Sequence, residues 1–297
     1  MKEIHCIFQI IKILTKMKRI LFLLLCLGLL RISHSQGYVP SREDINAFFT
    51  TKTLVVLEDN PLMEYNQNIK QVMKQEWTIT DYDFITFKEF EEKRLDPKYS
   101  FLIMTQVTFE NDKTDAIYRF LFLSLGGDYF RLNQMPDIAS VPLAYYNVDE
   151  DNYAYKLGIL VRFIQKHASL VKEHPEIVSA NVLKHYNDNI REIKDKTLYL
   201  LEDELAKEVN SVARIKKIYP YRIKIVTKEE IELAIKERNN DVVFLHKVGP
   251  EGTKLNARCY KIIIGAGDAN FYYFDYHKIS DKNPDGFLAS DFKKLAR

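Results

Sequence analysis

Two acidic pairs, Glu58-Asp59 and Glu202-Asp203, have the composition to hold a cation or a basic ligand. Each closes a short apolar run, Leu54-Val55-Val56-Leu57 in one case and Leu198-Tyr199-Leu200-Leu201 in the other. If those runs are parallel strands, the carboxylates lie at their carboxyl ends, where open α/β sheets bind ligands. The competing account needs no ligand: Asp59 or Asn60, and Asp203, would cap the following helix and favour its dipole.

Other chemistry-bearing residue types point to less. His167, His174, His185, His246 and His277 fall in no metal-ligand spacing such as H-E-x-x-H, so neither a metal nor a cofactor is expected. Cys259 opens an apolar strand beside Tyr260 and reads as a buried, inert thiol. There is no G-x-S-x-G elbow and no S-x-x-K motif, so no residue is assigned a catalytic role. Gly265-Ala266-Gly267-Asp268 follows an apolar strand as a phosphate-cradling loop would, but Phe271-Tyr272-Tyr273-Phe274 comes next instead of a helix. This segment and Gly126-Gly127-Asp128 therefore read as hairpin turns that need a positive φ. Tyr272, Tyr273 and Tyr276 either bury on both faces of their strand or leave one aromatic face for a glycan or protein partner.

The elements that must position these groups come as an internal repeat. Lys52-Thr53-Leu54-Val55-Val56-Leu57-Glu58-Asp59 recurs as Lys196-Thr197-Leu198-Tyr199-Leu200-Leu201-Glu202-Asp203. Phe84-Ile85-Thr86 matches Ile225-Val226-Thr227, Phe101-Leu102 matches Phe244-Leu245, and Tyr118 to Phe122 matches Tyr260 to Ile264. Four blocks in the same order at nearly constant spacing predict an α/β fold of two tandem β-α-β-α-β-β-β modules with mixed sheets.

The first block of each module is a buried strand. A helix should follow, with its apolar stripe at Tyr65, Ile69, Val72 and Met73, or at Leu205, Val209 and Val212. The second strand, Tyr82 to Ile85 or Arg222 to Val226, runs into Thr86-x-x-Glu89 or Thr227-x-x-Glu230. Both are capping boxes, where hydroxyl and carboxylate satisfy orphan amides of a helix. Further strands are expected at Tyr99 to Thr105, Ile117 to Leu125 and Asp128 to Leu132, and at Asp241 to His246, Tyr260 to Ile264 and Asn270 to Tyr276. Helix-joined strands should be parallel, and the last two of each module antiparallel. Leu157, Leu160, Val161, Ile164 and Val171 keep helical spacing up to His174-Pro175, and a second helix spans Leu183 to Ile193. Ser41 caps an entry helix to Phe49. The domain reading is a signal peptide at 1–35, a first module at 36–146, a helical connector at 147–195 and a second module at 196–297.

The N-terminus carries the parts of an export signal. Lys16, Lys18 and Arg19 precede the apolar run Ile20 to Leu30, and Ser33-His34-Ser35 offers small residues for cleavage between Ser35 and Gln36. The run is shorter than the roughly 20 apolar residues of a spanning helix, so the chain is not expected to span a membrane. Leu25 before Cys26 argues against a lipoprotein, and either Met1 or Met17 would serve as the start. Six of the 43 basic residues and one of the 41 acidic residues lie before Gln36, which leaves a formal charge of −3 on the rest. That balance makes no footprint for nucleic acid. With Cys259 alone after processing, the fold must stand on its core.

The SHSQ cleavage region and the KTLxxLED repeat resemble exported proteins of the Bacteroidota. The β-α-β-α-β-β order resembles modules of envelope-assembly proteins of the curli-secretion type, an analogy of fold alone. Together these readings predict an exported protein, periplasmic or extracellular, that acts by binding and is not an enzyme. Its first expected role is envelope interaction or assembly, with an envelope protein or glycan as partner. The alternatives are a small ligand or cation held in the cleft between the modules, or a hydrolase whose site is dispersed through the sequence.

Overall fold

The computed structural model describes residues 38–297, apart from 62, 180, 181 and 253. The signal-peptide reading, including Ser35 and Gln36, lies outside the described residues. Helix α1 (Arg42–Phe48) starts at Ser41, whose hydroxyl accepts from the Asp44 amide while the Asp44 carboxylate accepts from the Ser41 amide. Then come β1 (Lys52–Val56), α2 (Glu64–Glu76), β2 (Tyr82–Ile85), α3 (Phe87–Lys93), β3 (Tyr99–Val107), β4 (Tyr118–Leu125) and β5 (Asp137–Tyr145). Helices α4 (Leu157–Glu173) and α5 (Val182–Asn187) lead to β6 (Thr197–Leu200) and β7 (Ile223–Ile225). The chain ends with α6 (Lys228–Lys236), β8 (Val242–Val248), β9 (Arg258–Gly265), β10 (Phe271–Lys278) and α7 (Ala289–Leu295).

The fold is mixed α/β with two five-stranded mixed sheets, of orders β2-β1-β3-β4-β5 and β7-β6-β8-β9-β10. In each, the first three strands are parallel and the last two antiparallel. Order and sense are therefore the same in both. The two expected capping boxes form as well: the Thr86 and Thr227 hydroxyls accept from the amides of Glu89 and Glu230, whose carboxylates accept in return.

The strand registers correct the residue equivalences. Leu54 pairs with Phe101 and Phe101 with Ser124, whereas Leu198 pairs with Val243 and Val243 with Gly265. With Leu54 placed on Leu198, Phe101 corresponds to Val243 instead of Phe244, and Tyr260 corresponds to Arg119 instead of Tyr118. A shift of one residue exchanges the faces of a strand. Phe101 and Val243 pack on the outer faces of their sheets, while Leu102 and Phe244 both enter the central core.

Two expected elements do not form. The strand foreseen at Asp128 to Leu132 is a loop, because the Arg94 guanidinium donates to the carbonyls of Tyr129 and Phe130 and the Gly127 amide donates to the Arg94 carbonyl. The fifth strand runs through Asp137–Tyr145 and contains Pro142, tolerated because β5 is an edge strand with spare donor positions. The helix foreseen over Leu205, Val209 and Val212 breaks into short turns and one helical turn, Val212–Ile215. There the Ala206 amide donates to the Phe287 carbonyl and the Phe287 amide to the Glu204 carbonyl, so the backbone groups a helix would use are taken by the C-terminal segment. The connector's second helix also ends early, at Asn187, and continues as a 3₁₀ turn over Asp188–Asp195.

Between the sheets, Leu157, Leu160, Val161 and Ile164 of α4 share one core with Val55, Leu102 and Leu121 of the first sheet and Phe244, Ile262 and Ile264 of the second. Each such side chain contributes about 1.5–3 kcal/mol through burial. The Phe163 ring stacks on Phe271, centroids 3.4 Å apart. His246 of β8 joins the sheets directly, its Nε2–H donating to the Pro142 carbonyl at 2.8 Å. Burial there pushes its pKa down to about 3, so the ring stays neutral. On the outer face of the second sheet, Phe287, Phe292 and Leu295 of the C-terminal segment cover Leu198, Val243 and Ile263.

Candidate functional site

A pocket of about 330 Å³ opens where β6 and β8 end, between the two sheets. It lies at the carboxyl ends of parallel strands, the position at which sheets of this kind take ligands. The first sheet contributes Leu143 and Tyr145 of β5, with Asn152 and Tyr153 from the turns beyond it. The second contributes Asp203 and Glu204 after β6, Lys228 at the start of α6, Lys247 and Gly249 at the end of β8, and Asp285.

Two buried ion pairs support the walls, with Glu204, Lys247 and Asp285 lining the pocket and Lys156 behind Glu204. Lys156, the residue before α4, places Nζ 3.5 Å from Glu204 Oε1, with the side chains 2% and 11% exposed. Burial raises the Glu204 pKa against the opposing pull of Lys156 and Lys247. Burial alone would lower the Lys156 pKa, but Glu204 and Tyr155 beside it outweigh that and hold the ammonium above its ordinary value. Lys247 Nζ lies 2.7 Å from Asp285 Oδ2, which also accepts from the Glu251 amide at 2.9 Å. The Asp285 carboxylate packs so closely on Gly249 that a Cβ there would meet Oδ1 at 2.1 Å, so this position requires glycine. Glu204 Oε2 and Asp285 Oδ1 are closed to solvent and, among the described residues, accept no hydrogen bond.

The rim is different. Asp203 is exposed, and among the described residues its carboxylate makes no ion pair or hydrogen bond. Lys228 Nζ donates to the neutral side-chain carbonyl of Asn152 and forms no ion pair among the described residues. Glu251, also exposed, lines the pocket too, its carboxylate accepting from the Asn152 side-chain amide at 3.3 Å. The rim thus presents two carboxylates and one ammonium, none of them in an ion pair among the described residues.

Of the acidic residues singled out in the sequence, only Asp203 reaches this pocket. Glu202 is exposed beside it. Glu58 is half-buried near Arg119 and Glu150, and its pKa is raised by burial despite the opposing pull of Arg119; Asp59 is exposed. The two pairs do not line one common cleft. Nor do they cap helices: the N-cap of α2 is Met63, which makes no side-chain cap bond, and Asp203 sits inside a 3₁₀ turn. Among the described residues no group of three or more His, Cys, Asp or Glu is placed to hold a metal ion.

The aromatic-face reading needs correction. Tyr272 and Tyr273 are each 2% exposed, and only Tyr276, at 39%, reaches the surface. The outer face of β10 is covered by the C-terminal segment, where Tyr273 donates to Asp291. Cys259 is buried, and desolvation pushes its thiol up to about 12, which makes it inert. The Gly265–Asp268 segment is a turn joining β9 to β10, but the positive φ falls on Ala269, at 57°. Gly267 serves close approach instead, since a Cβ there would meet the Arg238 carbonyl at 2.7 Å. Arg162 of α4 donates to the carbonyls of Ala266 and Gly267, tying this turn to the central helix.

Sequence reasoning missed Lys156, Glu204, Lys228, Lys247 and Asp285. A lysine in the strand Val242–Val248, apolar but for His246 beside it, was the one local signal, because a buried ammonium needs a partner. Its partner lies 38 residues away and could not be read from spacing. No protein-family model, no curated protein and no solved structure matches this chain. Function must therefore be argued from the site.

Proposed function

We propose that this protein acts by binding, and that the pocket between its sheets takes a small zwitterion of amino-acid or dipeptide size. The observation that carries this reading is that the rim of one pocket sets charges of opposite sign without ionic partners beside each other, the Lys228 ammonium and the carboxylates of Asp203 and Glu251. The two deeper ion pairs neutralise each other and add no net charge, so they shape the cavity while the rim selects the ligand. A volume of about 330 Å³ suits a small molecule. A ligand carboxylate would meet Lys228 and its ammonium Asp203, each as a charge-assisted hydrogen bond. Docking to an envelope partner through the β10 aromatic face loses support, since two of its three residues are buried.

Titration calorimetry with glycine, lysine, glutamate and glycylglycine tests this. At least one is expected to bind saturably, and Asp203→Ala and Lys228→Ala are each expected to weaken it at least about tenfold, the loss of one charge-assisted bond. Acetate and ethylamine, each half of the zwitterion, should bind far more weakly. Failure of all four zwitterions, or binding that survives both substitutions, would overturn the proposal.

The same reading places the protein outside the cytoplasm, on the strength of the basic, apolar and small-residue segments before Gln36. The intact mass of protein recovered from the cell envelope is expected to correspond to a chain beginning at Gln36. A mass that retains Met17 or Met1 would remove that support.

A further inference from the structure

The charged pocket between the sheets carries more negative charge than a neutral zwitterion balances. Its deeper groups, Glu204 with Lys156 and Asp285 with Lys247, cancel in pairs. The rim then sets the carboxylates of Asp203 and Glu251 against the ammonium of Lys228, which leaves the pocket one negative charge in excess. A ligand that met only Lys228 and Asp203 would leave Glu251 beside it without an ionic partner.

Two contacts hold Glu251 at the rim. Its amide donates to Asp285 Oδ2 at 2.9 Å, and its carboxylate accepts from the Asn152 side-chain amide at 3.3 Å. The backbone there takes a left-handed φ of 52°, which few residues other than glycine adopt. Asn152 also accepts from Lys228 through its side-chain carbonyl, so one neutral amide stands between the ammonium and the Glu251 carboxylate. An amide satisfies hydrogen bonds but neutralises neither charge, and both groups line the open pocket. We propose that the ligand of this pocket is an α,ω-diamino acid of the size of ornithine or lysine, an assignment that rests on the zwitterion reading above. Its carboxylate meets Lys228, its α-ammonium Asp203 and its side-chain ammonium Glu251.

The three rim charges separate this ligand from its near relatives. A neutral amino acid leaves Glu251 unpaired. An acidic amino acid sets a second carboxylate against Asp203 and Glu251. A diamine without a carboxylate gives Lys228 nothing to bind and brings two more positive charges near it. The stem of a diamino acid also has a place, because Leu143, Val148, Leu201 and Val248 line the same space as the charged groups. Methylenes can lie along such apolar surface while the charged ends reach their partners.

Calorimetric titration at pH 7 with lysine, norleucine and cadaverine tests the inference. Norleucine has the carbon chain of lysine without the second ammonium, and cadaverine lacks the carboxylate. Lysine is expected to bind at least about tenfold tighter than either, the gain from one charge-assisted hydrogen bond. Glu251→Gln should shrink the preference for lysine over norleucine to within about threefold and leave norleucine itself nearly unchanged. Glu251→Lys should reverse the preference. Glu251 is exposed, so neither substitution disturbs the core. Equal affinity for lysine and norleucine, with both lost in Lys228→Ala, would overturn the diamino-acid assignment and leave the zwitterion reading standing. Cadaverine binding as tightly as lysine, or a lysine preference that survives Glu251→Gln, would also overturn it. Failure of all three probes to bind would remove the assignment and the zwitterion reading together.

Discussion

Replacing Asp291 by alanine is expected to cost about 3–5 kcal/mol of folding stability, because it strands a buried ammonium. Lys261 Nζ lies 2.8 and 2.7 Å from the two Asp291 oxygens, and the side chains are only 2% and 1% exposed. The same carboxylate accepts from the Tyr273 hydroxyl at 3.1 Å and from the Leu288 amide at 2.8 Å, where it begins α7. Asp291→Ala removes all of these acceptors while Lys261 remains in the core. The C-terminal segment it anchors carries Phe287, Phe292 and Leu295 onto the outer face of the second sheet, so the loss should expose that face. Whole domains are stable by about 5–15 kcal/mol, and such a change removes a large share. Urea denaturation checks it. Replacing both partners, with Lys261→Met and Asp291→Leu, should restore most of the loss, because burying two apolar groups avoids both desolvation penalties. A single variant within about 1 kcal/mol of the parent would show that α7 does not hold the sheet as described.

The second large effect is expected from Lys156→Met, behind the Glu204 wall of the charged pocket. It leaves the Glu204 carboxyl buried without its cation, at a cost of about 3–5 kcal/mol near neutral pH. The pH dependence has a definite sign. Burial already raises the Glu204 pKa in the folded protein, and loss of Lys156 raises it further. A carboxyl whose folded pKa lies above its unfolded value takes up a proton more readily when folded. Stability then grows as pH falls through the folded pKa towards the unfolded one. The deficit of Lys156→Met relative to the parent should therefore be largest at pH 7 and shrink as the pH falls towards 4.5. Denaturation midpoints at pH 7, 6 and 5 would check it, and a deficit independent of pH would show that Glu204 is not the group left unpaired.

If the deficit does fall with pH, ligand binding offers a cross-check on the same wall. Lys156 is not on the charged rim, so zwitterion affinity in Lys156→Met should follow the recovery of folded protein and not fall separately.

The sequence by itself determined what depends on short spacing. Alternating or continuous apolar runs marked β1, β3, β4, β6, β8 and β9, because a strand's side chains point to opposite faces with period two. The Thr86–Glu89 and Thr227–Glu230 boxes marked helix starts, because their hydrogen bonds join residues three apart. The common strand order of the two sheets was visible for the same reason, as one succession of local patterns met twice. What only the tertiary structure decided involves groups distant along the chain. The pairing of the segment near Ala206 with Phe287 overrode a helical stripe, since backbone donors already engaged across the fold are unavailable to a helix. Pro142 hid β5, since proline tells against a strand unless an edge position excuses its missing donor. Strand registers were mistaken by one residue, an error invisible in runs that are apolar on both faces. The pocket lay furthest from view. Asp203 stood out as half of an acidic pair, but Lys228, Lys247 and Asp285 became its neighbours only through packing, and a charge acquires its chemical meaning from the partner that packing supplies or withholds.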